Sequence, residues 1–111
     1  MRIKFYETTN GRSPVREFLE GQSESTRFEI FDALSLLEQG RTLSMPLSKN
    51  LASILQGLHE LRFRDRVGQL RVIYYIRKSE AIYLVHAFRK KAQKLPRKEV
   101  ELILKRVREI C

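Results

Sequence analysis

The chain has 111 residues, 42% of them hydrophobic and 32% charged, and a net charge of +9, which is typical of one folded domain and excludes a disordered tail. Apolar runs such as Val72–Ile76 are too short to span a bilayer, and the N-terminus turns polar before a signal sequence could form. The single cysteine, Cys111, excludes a disulfide framework or a Cys-based zinc site within the chain. We therefore expect a cytoplasmic protein with one domain, residues 1–111.

The first 20 residues predict a strand followed by a helix. Alternation over Arg2–Glu7 places Ile3 and Phe5 on one face, as in a β-strand. Ser13 is a suitable N-cap, and Pro14 fits the first position of a helix. The chain should therefore form a first strand and then a helix that ends at Gly21.

A second helix is predicted from Ser25 to Gln39, where Gly40 supplies the stop. Apolar residues recur at every third position and are expected to form the stripe that faces the core: Phe28, Phe31, Leu34 and Leu37. With the first helix it should form a helical hairpin. Arg41–Leu55 contains Pro46, several serines and no clean period, and is predicted to be a loop.

From residue 58 the apolar period changes to two, and three strands are predicted: Leu58–Arg64, Gln69–Lys78 and Ala81–Arg89. The connections, 65–68 and Ser79-Glu80, are short turns, so these strands should form an antiparallel meander. Pro96 then opens a last helix, Arg97–Ile110, which has its own apolar stripe.

This order of elements predicts an α+β fold. We expect a small antiparallel sheet, made of the N-terminal strand and the three-strand meander, with the two-helix hairpin packed on one face and a C-terminal helix. Because such a sheet needs only one buried face, the other face should be free for a ligand.

The net charge is concentrated in the second half of the chain. Residues 1–55 hold 7 basic and 7 acidic residues, whereas residues 56–111 hold 15 basic and 6 acidic residues, which accounts for the whole surplus of +9. A one-sided surplus indicates a polyanionic partner, either nucleic acid or an anionic membrane surface. An idle basic surface is the alternative.

Three arginines carry the argument for chemistry. Arg62 and Arg64 point the same way from one strand, and Arg71 lies just past the turn on the next strand, within cross-strand reach. Arg71 alternates away from its apolar neighbours, so we expect its side chain to be exposed and its loss to leave the fold stable. Guanidinium groups match phosphate oxygens. RNA can be cut by its own 2′-hydroxyl once the phosphate is held, its charge neutralised and protons moved.

Other candidate groups are few. Glu60 alternates onto the arginine face, where it can act as a base or pair with Arg62 or Arg64. His86 lies on a mostly apolar strand and is expected to be packed or hydrogen-bonded rather than catalytic. With two histidines, no Cys pair and no acidic residues at ligand spacing, we expect neither a metal nor a cofactor.

Three segments together resemble the phage-derived Gp49-like group of HigB toxins, within the RelE/ParE superfamily. They are Gly57-Leu58-His59-Glu60-Leu61-Arg62, Leu70-Arg71-Val72-Ile73-Tyr74-Tyr75 and the segment from His86 through Ala87-Phe88-Arg89-Lys90-Lys91 to Pro96. The resemblance covers essentially the whole chain. It implies a type II toxin that cuts mRNA on the ribosome, together with a cognate HigA-like helix-turn-helix antitoxin.

The resemblance also implies roles for individual residues. Arg71 matches the arginine that stabilises the phosphate in the transition state, Arg62 and Arg64 fall where related toxins carry catalytic basic residues, and Lys90 corresponds to a basic residue after the last strand. The residues expected to bind RNA are Lys49, Arg89, Lys91 and Lys94. Several relatives end in a catalytic Tyr or His, whereas this chain ends in a helix, so the general acid and base stay open.

Two other functions remain open at this stage. The superfamily includes ParE toxins, which poison DNA gyrase and cut no RNA. A plain RNA- or ribosome-binding module, whose basic face never cleaves, is the other alternative. Basic residues at positions 62, 64 and 71 favour the nuclease.

Overall fold

The computed structural model describes residues 1–78, 80–91 and 94–110, which form an α+β fold. Its elements are β1 Arg2–Phe5, α1 Pro14–Glu20, α2 Glu24–Glu38, β2 Ser48–Asn50, β3 Leu58–Arg64, β4 Gln69–Arg77, β5 Ala81–Lys90 and α3 Arg97–Ile110. Ser79 of the predicted turn, Ala92 and Gln93 of the third resembling segment, and Cys111 lie outside the described residues. None of the helices within the described ranges has the length and apolar character needed to cross a membrane.

The sheet is mixed rather than purely antiparallel, which corrects the predicted topology. Its strand order is β1-β5-β4-β3-β2, and β3, β4 and β5 form the predicted antiparallel meander. β1, however, pairs with β5 in parallel, with Ile3 opposite Ile82. Alternation tells which residues share a face but not in which direction a strand runs. The connection from β1 to β5 is long enough to permit either direction.

The predicted loop over 41–55 contains a short edge strand. β2 pairs antiparallel with β3, and it is anchored by the buried Ser48, whose hydroxyl lies 2.7 Å from the hydroxyl of Tyr74. The backbone N–H of Arg62 also donates to the carbonyl of Leu47 at 2.8 Å. Three residues are too few to show a period, so these long-range hydrogen bonds, rather than a local pattern, make this strand.

Helices cover both faces of the sheet. One face packs against α1 and α2 and forms a core that includes Val15, Ile30, Leu34, Leu61, Val72 and Leu84. The other face packs against α3, where Ile103 and Val107 join Leu58, Ile73 and Val85. Residues 70–74 of the central strand β4 are consequently all buried. The expectation of a wholly free sheet face is therefore wrong, although Arg62 and Arg64 keep part of the α3 face accessible.

The predicted apolar stripe of α2 is only half right. Leu34 and Leu37 are buried, but Phe28 is 61% and Phe31 is 51% exposed. Each residue of a helix turns by about 100°, so a three-residue step falls about 60° short of a full turn, and Phe28 and Leu37 point in opposite directions. The helix instead buries Thr26, Ile30 and Ala33 beside the two leucines.

The helix starts follow local capping chemistry. The Ser13 side chain accepts a hydrogen bond from the N–H of Arg16 at 3.4 Å and Pro14 is the first helical residue, as predicted. α2 begins one residue earlier than predicted because Ser23 is its N-cap, accepting from the N–H of Thr26 at 3.3 Å. Both caps satisfy backbone donors that a helix start leaves without partners.

Polar contacts fasten α3 to the sheet. Arg106 donates to the carbonyl of Val85 at 2.8 Å and lies over the ring of Tyr6. The Nε2 atom of His86 is paired with Glu99. Burial lowers the pKa of His86, an effect that Glu99 opposes. The expectation that His86 is packed and hydrogen-bonded is confirmed.

Candidate active site

Strand register brings basic side chains together on the face of the sheet that carries α3. Arg62 lies directly opposite Arg71, and Gln69 lies opposite both Arg64 and Lys90. Directly opposite residues of neighbouring strands point to the same side of a sheet. We call the resulting group the cationic cluster: Lys49, Arg62, Arg64, Arg71 and Lys90. It contains all four residues predicted to be catalytic.

Glu60 is a buried carboxylate among these cations. It faces Lys49 across the β2–β3 pair and is only 2% exposed. Its Oε1 atom lies 3.6 Å from Nε of Arg71 and 3.8 Å from Nε of Arg62. The predicted pairing with an arginine is confirmed for Arg62, and the second partner is Arg71.

Arg71 is buried, contrary to its expected exposure. It is 4% exposed because β4 is the central strand and is covered on both sides. Its Nη2 atom donates to Oε1 of Gln69 at 2.5 Å and its Nη1 to the carbonyl of Leu70 at 3.3 Å, whereas Nε has no hydrogen-bond partner among the described residues. Burial lowers the pKa of Arg71, and Glu60 opposes that effect.

Lys90 is one of the two lysines of the cluster. It is half-buried at the end of β5. Burial lowers the pKa of its ammonium group from the ordinary value, and the positive charges of Arg71, Arg62 and Lys49 lower it further, while Glu60 raises it. A lysine in this setting exchanges its proton more easily than one in water.

An open depression of about 310 Å³ lies at the part of the cluster formed by its three arginines. It is lined by Pro46, Arg62, Phe63, Arg64, Gln69 and Arg71. Arg64 is exposed at its rim, and Nη1 of Arg62 donates to the sulfur of Met45 at 3.3 Å. Guanidinium groups at the wall of an open, positively charged depression suit a phosphate group that enters from solvent.

Arg89 is not part of the cluster. Because Arg89 and Lys90 are adjacent on a strand, their side chains point to opposite faces. Arg89 forms two hydrogen bonds to Asp65, at 2.6 and 2.8 Å, and one to the side chain of Gln22 at 2.6 Å. Arg89, which was predicted to bind RNA, therefore lies on the opposite face of the sheet from Lys90.

The other two predicted RNA contacts lie in the connection between β5 and α3. Lys91 and Lys94 are both exposed there. Within the described ranges, no ion pair or hydrogen bond joins their side chains to the cationic cluster. Lys49, by contrast, belongs to the cluster through β2, a strand that the sequence did not predict.

Gln69 was missed by the sequence analysis, although it supports Arg71 and lines the depression. The signal that points to it is its register opposite Arg64, which can be read only once the β3–β4 hairpin is paired.

In residues 1–78, 80–91 and 94–110, no group of three or more His, Cys, Asp and Glu side chains is placed to hold a metal ion.

Comparison with known proteins gives one family. No curated protein sequence matches the chain. The family of phage-derived Gp49-like proteins matches residues 17–108, a stretch that contains the whole cationic cluster and its buried carboxylate. The chain therefore belongs to the phage-derived Gp49-like family, which lies in the RelE/HigB toxin group.

Proposed function

We propose that this protein is the toxin of a type II toxin–antitoxin system, a ribosome-dependent mRNA endoribonuclease that needs no metal and inhibits translation in the cytoplasm. Residues 1–111 would form one toxin domain. The observation that carries the proposal is the cationic cluster around Glu60, with a depression above it. Family membership supports a toxin, and the cluster supports phosphate chemistry as its activity.

The proposed reaction uses the substrate's own nucleophile. The 2′-hydroxyl gives its proton to solvent water and its oxygen attacks the adjacent phosphorus. The bond to the 5′-oxygen breaks as that oxygen takes a proton from Lys90, which leaves a 2′,3′-cyclic phosphate and a 5′-hydroxyl end, and Lys90 then regains a proton from solvent. Arg71 and Arg62 would neutralise the charge that develops on the phosphate oxygens. Arg64, exposed at the rim, would hold the phosphate backbone in place.

Lys90 is the residue we assign to proton transfer. It is the cluster's one lysine next to Gln69 in the β4–β5 register, and its lowered pKa suits donation of a proton to the departing 5′-oxygen. The guanidinium groups of the cluster are assigned to charge neutralisation and not to proton transfer. Lys49, Lys91 and Lys94 would add contacts to the RNA backbone.

A gyrase-poisoning toxin or a non-catalytic binding module would need no such arrangement. A binding surface gains from exposed cations, whereas this cluster places Arg71 and Glu60 below the surface at a cost in desolvation. Preorganised, buried charge is typical of sites that stabilise a transition state. This observation favours the nuclease.

The partner follows from the same surface. Membership in a toxin–antitoxin-type family implies an antitoxin, and we propose a HigA-like helix-turn-helix protein with an acidic segment that covers the cationic cluster. Copurification with the product of the neighbouring gene tests this proposal. A stable complex that is weakened by Arg62→Glu, while the variant stays folded, is expected. Failure to bind any adjacent gene product would count against the toxin assignment.

The activity is tested by mapping mRNA 5′ ends after expression of the protein. Wild type should create new 5′ ends on translated messages, and Arg71→Lys should create fewer. Arg12→Ala changes an exposed site outside the cluster and should create as many ends as wild type. DNA-damage signalling without new ends would instead indicate a gyrase poison. In a washed ribosome complex, cleavage should survive EDTA. Specific restoration of activity by zinc or manganese would overturn the metal-free reaction.

A further inference from the structure

Glu60 is the acidic side chain at the centre of the cationic cluster, and its position is unusual. A carboxylate that is 2% exposed is expensive to bury unless cations compensate for its lost hydration. Two arginines supply that compensation, one from the same strand and one from β4. Lys49 lies opposite it on β2. The carboxylate therefore acts on three strands of the site at once.

Glu60 contacts the inner side of both guanidinium groups and leaves their outer nitrogens to other partners. Glu60 approaches both guanidinium groups on the Nε side, at 3.6 and 3.8 Å, distances that are too long for hydrogen bonds. The outer nitrogens of Arg71 are held by Gln69 and the carbonyl of Leu70, and Nη1 of Arg62 contacts Met45. Each guanidinium group therefore has the carboxylate on its Nε side, and both arginines line the depression.

We propose that Glu60 is a positioning residue of the RNA-cleaving site: its buried carboxylate orients the guanidinium groups of Arg62 and Arg71 toward the scissile phosphate and offsets the positive charge around Lys90. It does not itself touch the substrate. The inference rests on the proposed nuclease function and adds a residue to which the resemblance assigns no role.

The same carboxylate acts on the proton donor. The charges that face Lys90 are Glu60 on β3, Arg71 on β4, Arg62 on β3 and Lys49 on β2, and Glu60 is the acidic one. It favours the ammonium form, whereas the other three oppose it. Loss of the negative charge should therefore make Lys90 lose its proton at a lower pH.

The test compares wild type with Glu60→Gln, which keeps the shape and removes the charge, and with Glu80→Gln, which makes the same change at an exposed residue of the β4–β5 turn. We expect Glu60→Gln to reduce the maximal cleavage rate by up to about 100-fold, because the arginines are misplaced. Its affinity for RNA blocked by a 2′-O-methyl group should be equal or higher, since the cluster becomes more positive. Glu80→Gln should match wild type in both measurements.

The pH profile separates positioning from a merely structural role. In Glu60→Gln the alkaline limb of the rate profile should move to lower pH, and NMR titration of the Lys90 side chain should show the same direction without reference to activity. A structural role would lower the folded fraction and leave the alkaline limb and the Lys90 titration unchanged. If neither the alkaline limb nor the Lys90 titration moves in Glu60→Gln, the proposal is overturned.

A second variant keeps the test decisive if Glu60→Gln is unstable. Glu60→Asp retains the charge but leaves a small cavity. If the charge positions the arginines, Glu60→Asp should cleave faster than Glu60→Gln per folded molecule, even if Glu60→Asp has the lower melting temperature. If wild type cleaves RNA and Glu60→Gln cleaves at the same rate, only the role of Glu60 is refuted. A folded wild type that cuts no ribosome-bound mRNA would refute the nuclease, and this inference with it.

Discussion

Arg71 has two roles, one in the packing of the central strand and one in the proposed catalytic site. It is buried on the central strand, and its Nε atom lies 3.6 Å from the buried carboxylate of Glu60. Each charge of the pair therefore compensates for part of the other's lost hydration, and Arg71 also lines the depression in which we place the phosphate. Burial excludes water and strengthens the field that the arginine exerts on a bound anion.

Replacement of Arg71 should affect stability and catalysis together. Arg71→Ala leaves Glu60 buried with one nearby arginine, so we expect a loss of about 1–3 kcal/mol in the free energy of unfolding. Loss of a preorganised contact to the transition state should reduce the cleavage rate about 10²–10³-fold. Urea denaturation and single-turnover cleavage of ribosome-bound mRNA measure the two effects.

Arg71→Lys separates these effects. It keeps the charge beside Glu60 and loses the planar group, so stability should be largely restored and cleavage only in part. A folded Arg71→Ala protein that cleaves at nearly the wild-type rate would remove Arg71 from the catalytic assignment, and the cluster would then be a docking surface.

Lys90 should give the enzyme its alkaline limit. Burial, together with Arg71, Arg62 and Lys49, lowers its pKa, and the protonated form is the one that donates. Cleavage should therefore decline as the pH rises through that lowered pKa, at a lower pH than an ordinary lysine would give. The measurement is the pH dependence of single-turnover cleavage.

Lys90→Arg is the matched control for this pH dependence. It retains positive charge but does not lose its proton in the accessible range. The variant should bind RNA normally, cleave slowly and lack the alkaline limb. An unchanged limb in Lys90→Arg would assign the titration to another group.

At the scale of elements, the turn between β3 and β4 is tied to α2 and, through β5, to the connection between α1 and α2. Asp65 accepts hydrogen bonds from Arg89 on β5, at 2.6 and 2.8 Å, and from the hydroxyl of Thr26 on α2 at 2.8 Å. Arg89 also reaches Gln22, which lies between α1 and α2. These contacts fix the hairpin that carries Arg64 and Arg71, so Arg89 supports the site from the opposite face.

Arg89→Gln should therefore destabilise the fold by about 1.5–3 kcal/mol, since charge-assisted hydrogen bonds to a partly buried carboxylate are lost. Cleavage per folded molecule should change little. Arg66→Gln, which removes an exposed arginine of the same turn, should leave the melting temperature unchanged. A stable Arg89→Gln protein with weak RNA affinity would instead support the RNA contact predicted from the sequence.

The same contacts predict how stability depends on acid. Arg89, followed by Thr26 and two backbone N–H groups, holds the pKa of Asp65 well below its ordinary value. The unfolded chain then binds a proton at Asp65 at pH values where the folded chain does not. This contribution is complete above about pH 4 and is lost as the pH falls. Asp65→Asn should flatten the dependence below pH 4 in thermal melts.

At the scale of the whole molecule, the one-sided charge should govern the affinity for RNA. Each phosphate that a basic residue neutralises adds about −0.7 to the slope of log K against log salt for a single strand. Lys49→Gln and Arg64→Gln should each make the slope shallower by about that amount, whereas Arg12→Gln should leave it unchanged. Binding titrations of 2′-O-methyl RNA at several salt concentrations measure the slopes. Equal slopes for all variants would place RNA elsewhere on the surface.

Local signals were enough for most of the elements. Ser13-Pro14 predicted the start of α1, the period of two predicted β3 to β5 to within about a residue, and Pro96 preceded α3 as expected. These signals depend on capping, dihedral restriction and alternation, which neighbouring residues determine among themselves. The concentration of arginines on β3 and β4 likewise needed only the alternation of two adjacent strands.

What the sequence determined by itself was therefore the α+β class, the meander and the shared face of Arg62, Arg64 and Arg71. Tertiary structure alone decided the parallel pairing of β1, the edge strand that brings in Lys49, and the burial of Arg71 and Glu60. It also decided the ion pair between Arg89 and Asp65. Each of these features depends on contacts between residues far apart in the chain. A local period of apolar residues does not indicate which surface will cover a strand or which charged residues will pair.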